Sequence, residues 1–255
     1  YGKVLIAGEI HGPYRLPEPY TYYTSSQSGT GAYPHNAQRM AEDVLALADA
    51  DVTFSAFDPN EDGYVDALVI VHAGPGAEAI PSPDRVNHIW SHKWVLRNRA
   101  IYDDVSIYGY LTVPEDGKLG VWAHEIGHLL FQWPDLYDTD YSSAGLGNWC
   151  LMAGGSWNNG GDSPALPSAW CRMWQGWADV QTIEGRQEIA LPRVADHQRI
   201  AKLWHPNMAE SEYFLLENRQ RFGFDAFIPG EGLLIYHIDE SRTGMLPFVF
   251  EDGMG

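Results

Sequence analysis

The order of apolar and polar residues divides the chain into a mixed first part and a strand-rich last third. Residues 1–10, YGKVLIAGEI, alternate as a strand does, and the Pro-, Gly-, Ser- and Tyr-rich stretch that follows reads as an ordered loop. In NAQRMAEDVLALADA, residues 36–50, Ala37, Met40, Val44, Leu47 and Ala48 recur at helical spacing and predict an amphipathic helix. DALVIVHAG, 66–74, predicts a buried strand ending in a glycine turn, VSIYGYLTVPE, 105–115, a second strand, and residues 119–131 an apolar helix. GLGNWCLMAGGSWNNGGD, 145–162, has no period and reads as loop; PSAWCRMWQGW, 167–177, reads as a short helix. Beyond residue 187 the alternation in RIAKLWH, EYFLLENRQ and GLLIYHIDE is that of strands. The pattern implies an α/β fold over residues 1–255 as one domain, with a β-rich portion from about residue 185.

Charge narrows the choice of partners. The 255 residues carry 34 acidic against 16 basic side chains, a formal charge of -18, and only Lys3, Lys93, Lys118 and Lys202 are lysines. Such a field repels phosphate backbones and anionic bilayers, so nucleic acid is excluded as a natural partner. No apolar run approaches the roughly 18 residues that span a bilayer, so membrane insertion is not expected. Tyr1 is not an initiator, and the chain reads as an excised piece of a longer precursor.

The predicted helix 119–131 carries HEIGH, residues 124–128. Positions i and i+4 share a helix face, so His124 and His128 can both aim a ring nitrogen at one ion. Glu125 projects beside them, where it can take a proton from water without being a ligand. Downstream, CLMAGGS sets Met152 in a glycine-bounded turn. A third ligand is needed, and Asp135 follows Trp133-Pro134, a pair that should end the helix because a residue before proline disfavours the helical conformation. Asp138 and Glu217 are the competing acids.

DPNEDGYVD, 58–66, offers side-chain oxygens at Asp58, Asn60, Asp62 and Asp66, the Tyr64 carbonyl, and Gly63 at the sharp turn, a set suited to calcium. The twelfth position is Val69, so the loop would close early on Asp66. A solvated acidic turn is the other reading. Asp138 and Asp140 suit a further calcium site or a turn cap equally. His88, His92 and His237 read as hydrogen-bonded structural histidines, and the tryptophan-rich stretch 149–177 as core rather than a sugar face. Cys150 and Cys171 are compatible with one disulfide or two buried thiols.

YGKVLIAGEI, DPNEDGYVDALVIVHAGPG, IWSHKW, AHEIGHLL, PDLYDTD, LMAGGSWN and YFLLENRQ with PGEGLLIYHID, taken in this order, resemble the catalytic domain of the immune inhibitor A family of bacterial metallopeptidases. The resemblance implies a metzincin-like domain with a twisted sheet, an active-site helix and a methionine turn at Met152. It also implies a secreted zinc endopeptidase, made with a pro-segment, stabilised by calcium and acting on protein or peptide substrates. Zinc would be held by His124, His128 and an acid, with Glu125 as general base. This chain departs from the family pattern at Phe131, where a glycine is usual, and at Pro134, with the acid one residue later at Asp135. It also has Cys150 where the family has an aspartate, and with export implied, a Cys150–Cys171 disulfide is expected. A hydrolase of another small amide, and a non-catalytic adhesin or carbohydrate-binding module on the same fold, are the alternatives; an intact Glu125 argues against the latter.

Overall fold

The computed structural model describes residues 4–140 and 142–242 and divides into two units, residues 1–132 and 133–255, each described by itself. In the first unit, helices α1 (Tyr20–Thr24) and α2 (Ala37–Ala48) precede strand β1 (Val69–His72), the hairpin of β2 (His92–Tyr102) and β3 (Val105–Pro114), and helix α3 (Leu119–Phe131). The sheet order is β1-β3-β2, with β1 parallel and β2 antiparallel to the central β3. Asn36 caps α2, its side chain accepting from the Arg39 N–H. Of the expected stripe, Ala37, Met40, Val44 and Ala48 face the core, joined by Ala41 and Leu45, whereas Leu47 is exposed. This stripe packs with Tyr23, Phe54, Ile70, Leu96, Ile107 and Tyr110 into one core.

A smaller cluster positions the histidine helix. Leu111 and Val113 of β3 bury Val121 of α3, with Trp122, Ile126 and Leu129 packed against them. At about 100° per residue, His124 and His128 fall on a different side of α3 from Ile126 and Leu129, and Glu125 lies between the two rows. Between β3 and α3 the chain turns tightly: the Glu115 N–H donates to the His72 carbonyl (2.9 Å), and the Glu115 carboxylate accepts from the Gly74 N–H (2.8 Å).

In this unit one expectation fails and one strand was not foreseen. Residues 4–10, expected as a strand, have no regular structure and are exposed. β2 was not legible, because its ladder slips between Val95 and Ala100, which breaks the alternation, and because Arg97 and Arg99 stand outward on a sheet edge.

The second unit joins an irregular segment and helix α4 (Ala169–Trp174) to a sheet of β4 (Asp179–Ile183), β5 (Arg199–Leu203), β6 (Glu212–Arg219) and β7 (Gly232–Asp239) in sequential order. The last three strands lie where alternation predicts them. Beneath them is a fully buried ion network: Arg219 grips both oxygens of Asp225 (2.6 and 2.5 Å) and reaches Glu217 (3.1 Å), which also pairs with Arg172 and accepts from the Tyr236 hydroxyl (2.6 Å). The Leu166 N–H donates to Asp225 (2.9 Å), so the network fastens the irregular segment to the sheet.

Candidate metal centre

α3 ends at Phe131 because Gln132 adopts the left-handed conformation (φ 53°, ψ 30°), its N–H closing on the Gly127 carbonyl. Trp133 then buries and Pro134 prevents the helix from resuming. The reversal brings Asp135 back toward the histidines. His124, His128 and Asp135 each offer an atom within 4.8 Å of the others, and the two Nε2 atoms stand 3.0 Å apart. The imidazole rings meet edge to face, with centroids 4.6 Å apart. Two imidazole nitrogens and one carboxylate oxygen fit zinc's borderline preference and leave a fourth position open, as a catalytic site requires. Among the described residues, this is the one cluster of three or more such side chains close enough to share an ion. Glu125 is buried on the same helix.

Behind this stretch the chain is clasped. The Leu136 N–H donates to the carbonyl of fully buried Met152 (2.7 Å), and the Leu146 N–H returns to the Leu136 carbonyl (2.8 Å). Gly145 is required here, since a Cβ would come within 2.4 Å of the Leu136 carbonyl oxygen. The methionine turn therefore holds the residue next to Asp135 by backbone contact.

Both competitors for the third ligand are occupied elsewhere. Glu217 is buried between Arg172 and Arg219, whose charges outweigh the cost of burial and hold its carboxyl below the usual range. Asp138 accepts from the hydroxyls of Ser142 (2.8 Å) and Ser143 (2.9 Å) and from the Ser143 N–H (2.8 Å), and these bonds depress its pKa. It caps a turn, with Asp140 accepting from the Ser142 N–H (2.9 Å) in the same loop.

In the acidic loop, Asp58 accepts from the Asp62 and Gly63 N–H groups (3.0 and 2.9 Å), Asn60 from Asp62 (3.3 Å), and Asp62 from Tyr64 (2.9 Å). Burial, then the charges of Asp62 and Asp58, raise the pKa of Asp66. His237 is exposed, paired with Glu212 (2.8 Å) and stacked on Phe214, and His92 bonds the Trp90 carbonyl (2.6 Å). The expected disulfide is absent. Cys150 and Cys171 are free, buried thiols, joined by a hydrogen bond and further engaged by the Met152 N–H and the Ser168 hydroxyl (3.3 Å each). These donors satisfy the sulfurs without a covalent bond.

Similarity to known proteins agrees with this geometry. The chain is 28% identical over 243 residues to the pre-pro-metalloprotease PrtV of Vibrio cholerae serotype O1, covering 80% of this chain and 26% of that protein. It is 33% identical over 152 residues to immune inhibitor A of Bacillus thuringiensis subsp. alesti, covering 49% of this chain and 22% of that one. It thus spans about a quarter of the length of these relatives. Residues 2–181 match the model of the immune inhibitor A peptidase M6 catalytic domain, and the chain belongs to that family of metallopeptidases.

Proposed function

We propose that this chain is the catalytic domain of a secreted zinc endopeptidase, with His124, His128 and Asp135 as the zinc ligands and Glu125 as the general base. The observation that carries the reading is the convergence of these three donors beside a buried Glu125, in a chain of the immune inhibitor A peptidase family. Zinc in such a set supplies a Lewis acid and acidifies neighbouring water. Glu125 accepts the proton of the attacking water and passes it to the leaving amine as the peptide C–N bond breaks. The β3–α3 packing and the Met152 clasp fix the ligand-bearing stretch, which limits the rearrangement needed during turnover.

Residues 1–255 are read as one catalytic domain, since the family match crosses the division at residue 132. Calcium as a structural ion is assigned to the loop Asp58, Asn60, Asp62, Tyr64 and Asp66 from its oxygen-rich sequence, although its three carboxylates do not converge closely enough in this structure to share an ion by themselves. The raised pKa of Asp66, to which the charges of Asp62 and Asp58 contribute, supports this, because a cation would relieve that repulsion. Export and a pro-segment are carried over from the relative named a pre-pro-metalloprotease. No helix among the described residues is long and apolar enough to cross a membrane.

Digestion of casein by the purified chain tests the activity. Cleavage at internal bonds should stop with a zinc chelator and return with stoichiometric zinc; cleavage indifferent to the chelator would refute it.

A further inference from the structure

The register of the first sheet fixes the direction of one cation. Lys93 of β2 lies opposite Leu111 of β3, and residues directly opposite in an antiparallel pair point to the same face. Leu111 is packed with α3, so Lys93 projects from the helix side of the sheet, whereas the next residue, Trp94, packs on the core of α2 on the other side. Lys93 is half-buried there, and burial holds its pKa below the usual lysine range. An ammonium kept partly from water gains more from a carboxylate than an exposed one does.

The packing of α3 places its residues above this lysine. After the tight turn α3 runs back along β3, Val121 lying with Leu111 and Val113. A Cβ on Gly109 would meet the Leu129 side chain at 3.4 Å, so Leu129 stands above Gly109. Glu125 is four residues before Leu129, about 6 Å along the helix, and Leu111 is two residues beyond Gly109, about 7 Å along the strand. Glu125 is therefore level with Leu111, and so with Lys93.

The sideways direction follows from handedness. Leu111 turns its side chain to α3 and its N–H to the Leu68 carbonyl (3.0 Å), on the β1 side. A right-handed helix returning over that face turns His124, Glu125 and His128 toward β2, and Trp122 and Ile126 toward β1. Lys93 thus rises from the strand beneath the flank of α3 that carries the histidines and Glu125.

We propose that Lys93 is a specificity-determining residue of the peptidase site, receiving an Asp or Glu side chain of the substrate beside the bond that is cut. This rests on the peptidase reading of α3 given above. With 34 acidic against 16 basic side chains, the chain's general field disfavours acidic peptides, so their selection requires a cation placed at the site itself. Glutamine has the shape of glutamate without its charge, and a site built around Lys93 should distinguish the two.

Two fluorescent peptides of one sequence, carrying either glutamate or glutamine on both sides of a non-cleavable central bond, test this on the zinc-loaded full chain. Fluorescence anisotropy should give at least about 10-fold tighter binding of the glutamate peptide. That preference should vanish in Lys93→Met and persist in Lys93→Arg. In a cleavable peptide library, the unsubstituted chain should cut mainly beside Asp or Glu, and Lys93→Met should lose this preference. Equal binding of the two peptides by the unsubstituted chain would overturn the proposal. So would a loss of cleavage in Lys93→Met shared equally by acidic and neutral sites, because Lys93 would then take part in every turnover. Absence of all cleavage would count against the peptidase reading, while the anisotropy comparison would still decide the role of Lys93.

Discussion

His124 and His128 meet through one helical turn, whereas Asp135 reaches them only because Gln132 and Pro134 reverse the chain. That difference explains what the sequence disclosed at residue scale. The i, i+4 pair is a local geometry and legible at once, whereas the place of Asp135 depends on an irregular turn, and Asp138 and Glu217 are separated from it only by their hydrogen bonds and ion pairs in the folded chain. Asp135→Ala should weaken zinc binding by more than about 100-fold in competition with a chromophoric chelator, while Asp138→Ala should leave it within a few-fold. Equal losses would mean that the loop, and not the Asp135 carboxylate, governs affinity.

Two histidines outside the centre give a pH dependence. Burial lowers the pKa of His72, and burial, with the nearby His72 charge adding to it, brings that of His92 down to about 4. Glu78, Asp116 and Glu115 oppose the shift at His72, and the Trp90 carbonyl opposes it at His92. An unfolded histidine titrates near ~6.5, so below that pH the unfolded chain binds protons that the folded one refuses. Stability present above pH ~6.5 should thus be lost as pH falls toward 4. His92→Gln, which cannot titrate, should flatten the fall in melting temperature across that window; an unchanged slope would contradict the assignment.

Among the elements, α3 ends on a non-glycine residue in the left-handed region, which stores about 1 kcal/mol of backbone strain. Gln132→Gly should raise stability to unfolding by roughly 0.5–1 kcal/mol in urea titrations, and a loss would show that the Gln132 side chain matters more than its conformation. The loop before β1 carries the calcium proposal. Removing calcium, or substituting Asp62→Ala, should lower the melting temperature, with calcium-dependent stabilisation absent from the variant; identical melting with and without calcium would dispose of that ion. Elements with unbroken periods, α3, β3 and β5 to β7, were readable from pattern alone. β2 was not, because its ladder slips, and residues 4–10 alternate correctly yet lack a partner strand in this structure. Pattern records what a segment can pair with, while the pairing itself depends on distant chain.

For the whole molecule, the charge of -18 argues against polyanionic partners but carries no information about fold. The buried Arg172–Glu217–Arg219–Asp225 network had no sequence signal, since its members lie up to 53 residues apart and ordinary alternation accounts for each strand without them. The proposed zinc centre was legible because its donors are concentrated between residues 124 and 135. The central claim is that this chain hydrolyses peptide bonds with Glu125 as the base and not as a ligand. Zinc content and casein cleavage measured on the same preparation of Glu125→Ala test it most directly. The account predicts about one zinc retained per chain with cleavage reduced by at least 100-fold; loss of the metal, or cleavage near the unsubstituted rate, would contradict it.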